Sequence, residues 1–368
     1  MKSNRLMSLD ALRGFDMFFI MGLSGFITAL CGLCPGDVSE AIAQSMKHVA
    51  WDGLHHHDTI FPLFLFLAGV SFPFSYASQR EKGASTKSIV IKIVKRAVIL
   101  VFLGMIYNGL LKFNFDNMRY ASVLARIGIA WMVAALLYVN FGIKMRAAIC
   151  VVILIGYALL TKYVAAPDVV NASPLSLEGN IVGYIDRLFL PGRLLYNNYF
   201  DPEGLLSALP AVVTAMLGIF TGELIRLPQN RLSGNRKALY MLAGAVALAI
   251  VAIIGKNYVP INKMLWSSTF VCAVGAYSLV MMAVFYYVID VRGYKRWTLV
   301  LKVVGMNSIT IYLAQRIIGF KGITNFFVGG VANALPEDWA ALVLQGGYMV
   351  VCWLFLYFLY RKNTFLKV

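Results

Sequence analysis

Ten apolar stretches decide what this 368-residue chain can fold into. They run over about 9–31, 58–78, 97–111, 121–141, 147–164, 204–225, 238–255, 264–290, 298–319 and 340–360. A helix crosses a bilayer with about 20 apolar residues. The expected fold class is therefore all-α: a polytopic integral membrane helical bundle of about ten transmembrane helices, forming one domain over 1–368. Composition agrees. The chain is 60% hydrophobic and 14% charged, against roughly 45–50% and about 25% for soluble domains. Too little polar surface remains to coat one globule in water, and the same numbers exclude disorder and a disulfide-stapled secreted module.

The formal charge of +16 would suggest nucleic acid in a soluble protein. Its distribution argues otherwise. Ten crossings put both termini on one side. With that side cytoplasmic, the inner segments and adjoining helix ends hold 22 Lys and Arg, among them Arg80, Lys87, Arg96, Arg236, Arg296 and Arg361. The outer segments hold 11, against 12 acids. The basic excess thus reports topology, with both termini cytoplasmic, and no nucleic-acid partner is expected. Asp10, Arg13 and Asp16 interrupt the first apolar run, which does not read as a cleavable signal.

Two outer loops are long, about 32–57 and 165–203. The second is rich in Asn, Pro, Gly and Tyr and is suited to capping an outer vestibule. Cys31 and Cys34 form a C-x-x-C at the outer end of the first helix, where oxidation is possible. No thioredoxin-like pattern surrounds them, so packing or a short disulfide is expected rather than redox chemistry.

All four histidines, His48, His55, His56 and His57, lie within ten residues. Three readings stay open. A histidine at the mouth of a bundle serves as general base or nucleophile, oriented by a carboxylate such as Asp58. Alternatively, His55–His57 hold a metal with Asp52 or Asp58, although adjacent helical residues cannot all face one ion and no His-x-x-x-His pair is present. Or they form a solvated loop. Ionisable residues within crossings are the second signal, because each is costly in hydrocarbon. Asp10 and Arg13 share a face, and Arg119 and Arg126, two turns apart, are expected to share another. Asp201 and Glu203 suit the N-terminus of the sixth crossing, unless Glu203 or Asp58 pairs with the arginines. Asn262 and Lys263 precede Trp266, and Asn307-Ser308 lie within the ninth crossing, where an interhelical hydrogen bond is the plain explanation.

Read together, these strings carry a resemblance. Arg5-Leu6-x-Ser8-Leu9-Asp10-Ala11-Leu12-Arg13-Gly14-Phe15-Asp16 resembles the opening of the heparan-α-glucosaminide N-acetyltransferase family of transmembrane acyltransferases. His48-x-x-Trp51-x-Gly53, followed by Asp58-x-Ile60-Phe61-Pro62-x-Phe64-x-Phe66-x-x-Gly69-Val70, resembles its second and more specific signature. Asp201-Pro202-Glu203-Gly204-Leu205-Leu206-Ser207, Asn262-Lys263-x-Leu265-Trp266 and Gly305-Met306-Asn307-Ser308 are similar to the bacterial branch, often described only as a domain of unknown function. Two departures stand out. The stretch before His48 is longer than in the animal enzymes, and Ser24 stands where those carry an Asn.

The resemblance implies acetyl transfer from cytosolic acetyl-CoA to the amine of a glucosamine-like amino sugar at the extracytoplasmic face. It further implies a multi-pass protein of a bacterial inner membrane, a homodimer, and no metal. His48 is the implied active-site histidine and Asp58 its partner. Trp51, Asp201, Glu203, Asn262, Lys263 and Trp266 are candidates for the acceptor side. Asp10, Arg13, Arg119, Arg126, Asn307 and Ser308 are candidates for the acetyl-CoA side. Two rivals remain: an amino-sugar or other small-solute transporter, and an O-acyltransferase of a surface glycan.

Overall fold

The computed structural model describes residues 6–366 other than 197; Arg5 of the opening motif lies outside them. Among the described residues the chain is helical, with isolated bridges and no strand. It divides into two compact units. One is formed by Met1–Val49, His55–Ile60 and Val284–Lys367, the other by Ala50–Leu54 and Phe61–Ala283.

In the first unit, α1 runs over Met7–Leu33 and is broken by a π-helical turn at Phe19–Leu23, where Gly22 takes φ 126°. A side chain there would be strained, and glycine is the residue that adopts this backbone freely. α2 (Asp37–Ser45) follows in the loop after α1. α3 (His56–Glu81) begins in this unit. Further on come α11 (Thr298–Gly305), α12 (Ser308–Ile317), α13 (Phe320–Asn333) and α14 (Glu337–Arg361). α1 and α11 interlock through reciprocal glycines. A Cβ at Gly14 would lie 1.8 Å from the Leu301 carbonyl oxygen, and one at Gly305 would lie 1.9 Å from that of Asp10. Small residues permit such backbone approach between membrane helices, where hydrophobic burial supplies no driving force.

The second unit holds most of α3 together with α4 (Thr86–Tyr107), α5 (Val123–Asn140), α6 (Ile143–Tyr163), α7 (Ile181–Phe189), α8 (Ala208–Arg226), α9 (Gly234–Gly255) and most of α10 (Ser268–Val291). α3 and α8 meet at Gly69, Gly218 and Gly222, each against a carbonyl of the other helix. Phe61, Phe72, Trp131, Met216, Trp266 and Phe270 form the buried core beside this contact. Arg146 pairs with Glu223 at 2.9 and 3.0 Å, so this largely buried guanidinium is neutralised where α6 meets α8.

Among the described residues, eight helices are long and apolar enough to span a membrane: α1, α3, α5, α6, α8, α9, α10 and α14. α11 and α12 together reach that length but are bent by 67° at Met306-Asn307. The apolar stretch 97–111 belongs to α4. That helix starts at Thr86, capped by Ser85, so its first half carries Lys87, Lys92, Lys95 and Arg96 and falls outside the span criterion.

Candidate functional site

Asp58 lies in the first turn of α3. Its Oδ1 meets His48 Nδ1 at 2.7 Å, and its Oδ2 accepts from the backbone amides of Val49 and His55, both at 3.2 Å. The amide of His55 immediately precedes the helix, so the carboxylate reaches back to cap it, one half of a capping box. Its negative charge also sits at the favourable end of the helix dipole. The carboxylate is 1% exposed and the His48 side chain 50% exposed. With a proton on Nδ1 donated to Asp58, the imidazole presents the Nε2 lone pair as its basic atom.

The other histidines surround this pair rather than forming a solvated loop; all three are half-buried. The His57 ring lies 4.5 Å from that of His48, and its Nδ1 is 3.2 Å from Ser24 Oγ. His55 Nδ1 donates to the Lys47 carbonyl at 3.0 Å, and His56 packs 4.4 Å from Phe19. Among the described residues no three His, Cys, Asp or Glu side chains gather as a metal-ligand set. Cys31 and Cys34 are both free thiols.

The remaining candidates of this unit follow the α1–α11 contact. Arg13 sits 3.9 Å from buried Asp10. Asn307 is not inside a continuous crossing as expected but at the break before α12, which Ser308 opens. It is 2% exposed, its Oδ1 accepts from Thr310 Oγ1 at 3.5 Å, and its amide nitrogen is buried without a hydrogen bond.

In the second unit, Arg119 and Arg126 do not share a helix face. Ser122 caps α5 by accepting from the Ala125 amide at 3.1 Å, so the helix begins after Arg119. Arg119 stays in the preceding loop, held by Asn108 Nδ2 donating to its carbonyl at 2.9 Å. Its guanidinium grips Asp201 through two bonds of 2.7 and 2.6 Å and also contacts Glu203. Burial alone would lower its pKa, but the bond to Asp201 and the charges of Glu203 and Asp201 outweigh this and hold it above its ordinary value. The acids therefore do not cap the sixth crossing. α8 starts later, at Ala208, and Asp201 and Glu203 serve the loop ion pair.

Arg126 is 2% exposed and makes no ion pair with those acids. It donates to Ser207 Oγ and to the Gly204 carbonyl, and its guanidinium carbon sits 4.9 Å above the Trp266 ring. Trp266 is buried with φ 51°, a conformation costing about 1–3 kcal/mol for a bulky residue. Its surroundings hold it there. Nε1 donates to Thr214 Oγ1 at 3.3 Å, Phe61 and Phe270 meet its ring, and Asn262 Oδ1 accepts from the Leu265 amide. Lys263 lies in this same turn, its carbonyl accepting from the Trp266 amide at 3.0 Å.

The sequence reading missed Asp186 on α7. It is fully buried, accepts from the Leu205 amide at 2.8 Å, and its Oδ2 has no hydrogen-bond partner. Burial pushes its carboxyl up to about 7. An acid directly after the apolar run Ile181-Val182-Gly183-Tyr184-Ile185 was the available signal.

Trp51 lies beside a pocket of about 400 Å³ in this unit, with Nε1 donating to the Leu175 carbonyl at 2.8 Å. The long loop over 165–203 supplies much of its wall. Ala166 and Gly179 bond across the loop, and Phe200 and Val182 pack with Tyr157 and Leu265 beneath.

Comparison with known proteins gives two results. Residues 5–178 match the family model described as a domain of unknown function (DUF5009). The chain is also 26% identical, over 383 and 375 residues respectively, to the proteins named heparan-alpha-glucosaminide N-acetyltransferase of Mus musculus and Homo sapiens. These matches cover 88% of this chain but 56% of each relative, so it spans little more than half their length. The resemblance to the heparan-α-glucosaminide N-acetyltransferase family carried by the opening and His48 motifs thus extends over most of the chain.

Proposed function

We propose that the chain is a membrane-embedded acetyltransferase that moves acetyl from cytosolic acetyl-CoA to the amine of a glucosamine-like sugar at the extracytoplasmic face. The observation that carries this reading is the His48–Asp58 pair: a half-exposed imidazole aligned by a buried carboxylate. It stands within a motif of the acetyltransferase resemblance. In this reading all of 1–368 serves one reaction, in ten crossings with both termini cytoplasmic, as a homodimer in a bacterial inner membrane.

The chemistry balances simply. An unprotonated amine attacks the thioester carbonyl, a C–N bond forms, the C–S bond breaks, and the thiolate leaves to be protonated. The amine's proton passes to His48 Nε2. Alternatively Nε2 itself takes the acetyl group and yields it to the amine in a second displacement. Asp58 holds the tautomer in either route. The proposal keeps Asp10, Arg13, Asn307 and Ser308 on the donor side, while Arg119 and Arg126, expected there from the sequence, join the acceptor-side candidates they contact: Arg119 bonds Asp201 and Glu203, and Arg126 lies over Trp266. Trp51, Asp201, Glu203, Asn262, Lys263 and Trp266 stand on the acceptor side. Purified protein with radiolabelled acetyl-CoA and an amino-sugar panel tests it: no transfer and no acetyl-CoA binding would overturn the reading.

The transporter reading draws on one feature, the α11–α12 bend with buried Asn307 at its break, since broken helices build transporter sites. Uptake of labelled amino sugar by proteoliposomes lacking acetyl-CoA would favour it. An alkali-labile product ester would favour O-acyl transfer.

A further inference from the structure

We propose that the pocket beside Trp51 is a saccharide subsite for a non-anionic acceptor, one bearing no carboxylate, phosphate or sulfate group. This rests on the acetyltransferase reading and adds a substrate class to it. The pocket's volume of about 400 Å³ lies in the range of small-molecule sites. Trp51 and Tyr196 supply two aromatic rings to its wall. The indole is locked by its bond to the Leu175 carbonyl and by Phe200, whose ring meets it edge-on at 6.4 Å. A fixed aromatic face suits the apolar C–H face of a pyranose, with hydroxyls left to the polar rim.

The rest of the lining decides the charge. Leu175, Leu177 and Met264 are apolar, and among the described residues none in the lining is ionisable apart from the phenol of Tyr196. Of the two lining serines, Ser176 has its hydroxyl occupied within the loop, donating to the Ser173 carbonyl and accepting from the Gly179 amide. Two guanidinium groups elsewhere in this region are committed. Arg187 is bidentate to Asp168 at 2.7 and 2.8 Å and also bonds the Tyr199 carbonyl, while Arg119 holds Asp201 and Glu203. Arg193 is exposed and Lys263, next to Met264, is half-buried; neither belongs to the described lining. An anionic substituent entering here would shed water without gaining a counter-charge, which is strongly unfavourable. The heparan in the relatives' names is a polyanion, so this chain is inferred to differ from them in acceptor class.

The test is equilibrium binding to the purified full chain in detergent without acetyl donor. The probes are methyl β-glucosaminide, glucosamine 6-sulfate and glucosamine 6-phosphate, with radiolabelled acetyl-CoA binding measured separately. The methyl glycoside is expected to bind at least ~10-fold more tightly than either the sulfated or the phosphorylated sugar. Trp51→Ala should weaken it at least ~10-fold, with Trp51→Phe retaining most affinity and acetyl-CoA binding unchanged. Leu177→Arg should narrow the preference for the methyl glycoside. Equal or tighter anionic binding, no sugar binding, or indifference to Trp51→Ala overturns the subsite. Sugar binding with this pattern but no acetyl-CoA binding instead overturns the acetyltransferase reading, so the two failures are distinguishable.

Discussion

One carboxylate, that of Asp58, holds both the His48 ring and the start of α3: Oδ1 takes Nδ1 at 2.7 Å, while Oδ2 takes the amides of Val49 and His55. The two duties separate by mutation. His48→Ala leaves the cap in place, so thermal stability should stay near wild type while acetyl transfer falls by at least ~100-fold. Asp58→Asn offers an amide to Nδ1 and disfavours the productive tautomer. It should lose ~100-fold or more in kcat and also about 1 kcal/mol of stability through the weakened cap. Radiometric transfer and thermal unfolding on the same preparations check both.

Asp186 makes stability pH-dependent. Its folded carboxyl titrates at about 7, against about 3.9 unfolded. The native state therefore binds the proton more tightly, and this contribution is full below about pH 4 and lost as pH rises through 7. Asp186→Asn should flatten that fall and leave the variant more stable than wild type at pH 8. Melting temperatures at pH 5 and 8 read this directly; a parallel decline in both proteins would refute it.

Breaking the Arg119 clamp should cost more than removing it whole. Arg119→Met strands two acids, one fully buried, and is expected to destabilise by about 3–5 kcal/mol. Arg119→Met combined with Asp201→Leu and Glu203→Gln should recover much of that loss. A double-mutant cycle by thermal unfolding measures the coupling.

At the α1–α11 crossing, Gly305→Ala places a methyl group 1.9 Å from the Asp10 carbonyl oxygen. The helices must part, at about 1–3 kcal/mol. Gly329→Ala, whose nearest neighbour is 3.8 Å away on its own helix, serves as the contrast and should be near neutral or slightly stabilising.

Much of this was legible in the sequence, for identifiable reasons. Apolar runs marked the spanning helices because hydrocarbon tolerates nothing else over that length. The His48–Asp58 pairing was legible because a motif held both residues within ten positions. Helix ends were not. Arg119 fell outside α5 because Ser122 caps the helix after it, about one turn later than a face shared with Arg126 requires, and Asp201 left the start of α8 because Arg119 claimed it. Such choices are made by hydrogen bonds between loops, which carry no periodicity. Asp186 escaped notice for the same reason: its burial comes from tertiary packing, with Gly204 close enough that a Cβ there would overlap the carboxylate at 1.9 Å.

Pro62 lies four residues after Asp58 in α3. Having no amide hydrogen, it leaves the Asp58 carbonyl without its rung of the helical ladder. The turn that presents the carboxylate is thus joined to the remainder of the helix less firmly than an uninterrupted one. The motif's proline, read first as a signature letter, marks the place in α3 where the amide ladder is interrupted, directly after the turn that carries the acid.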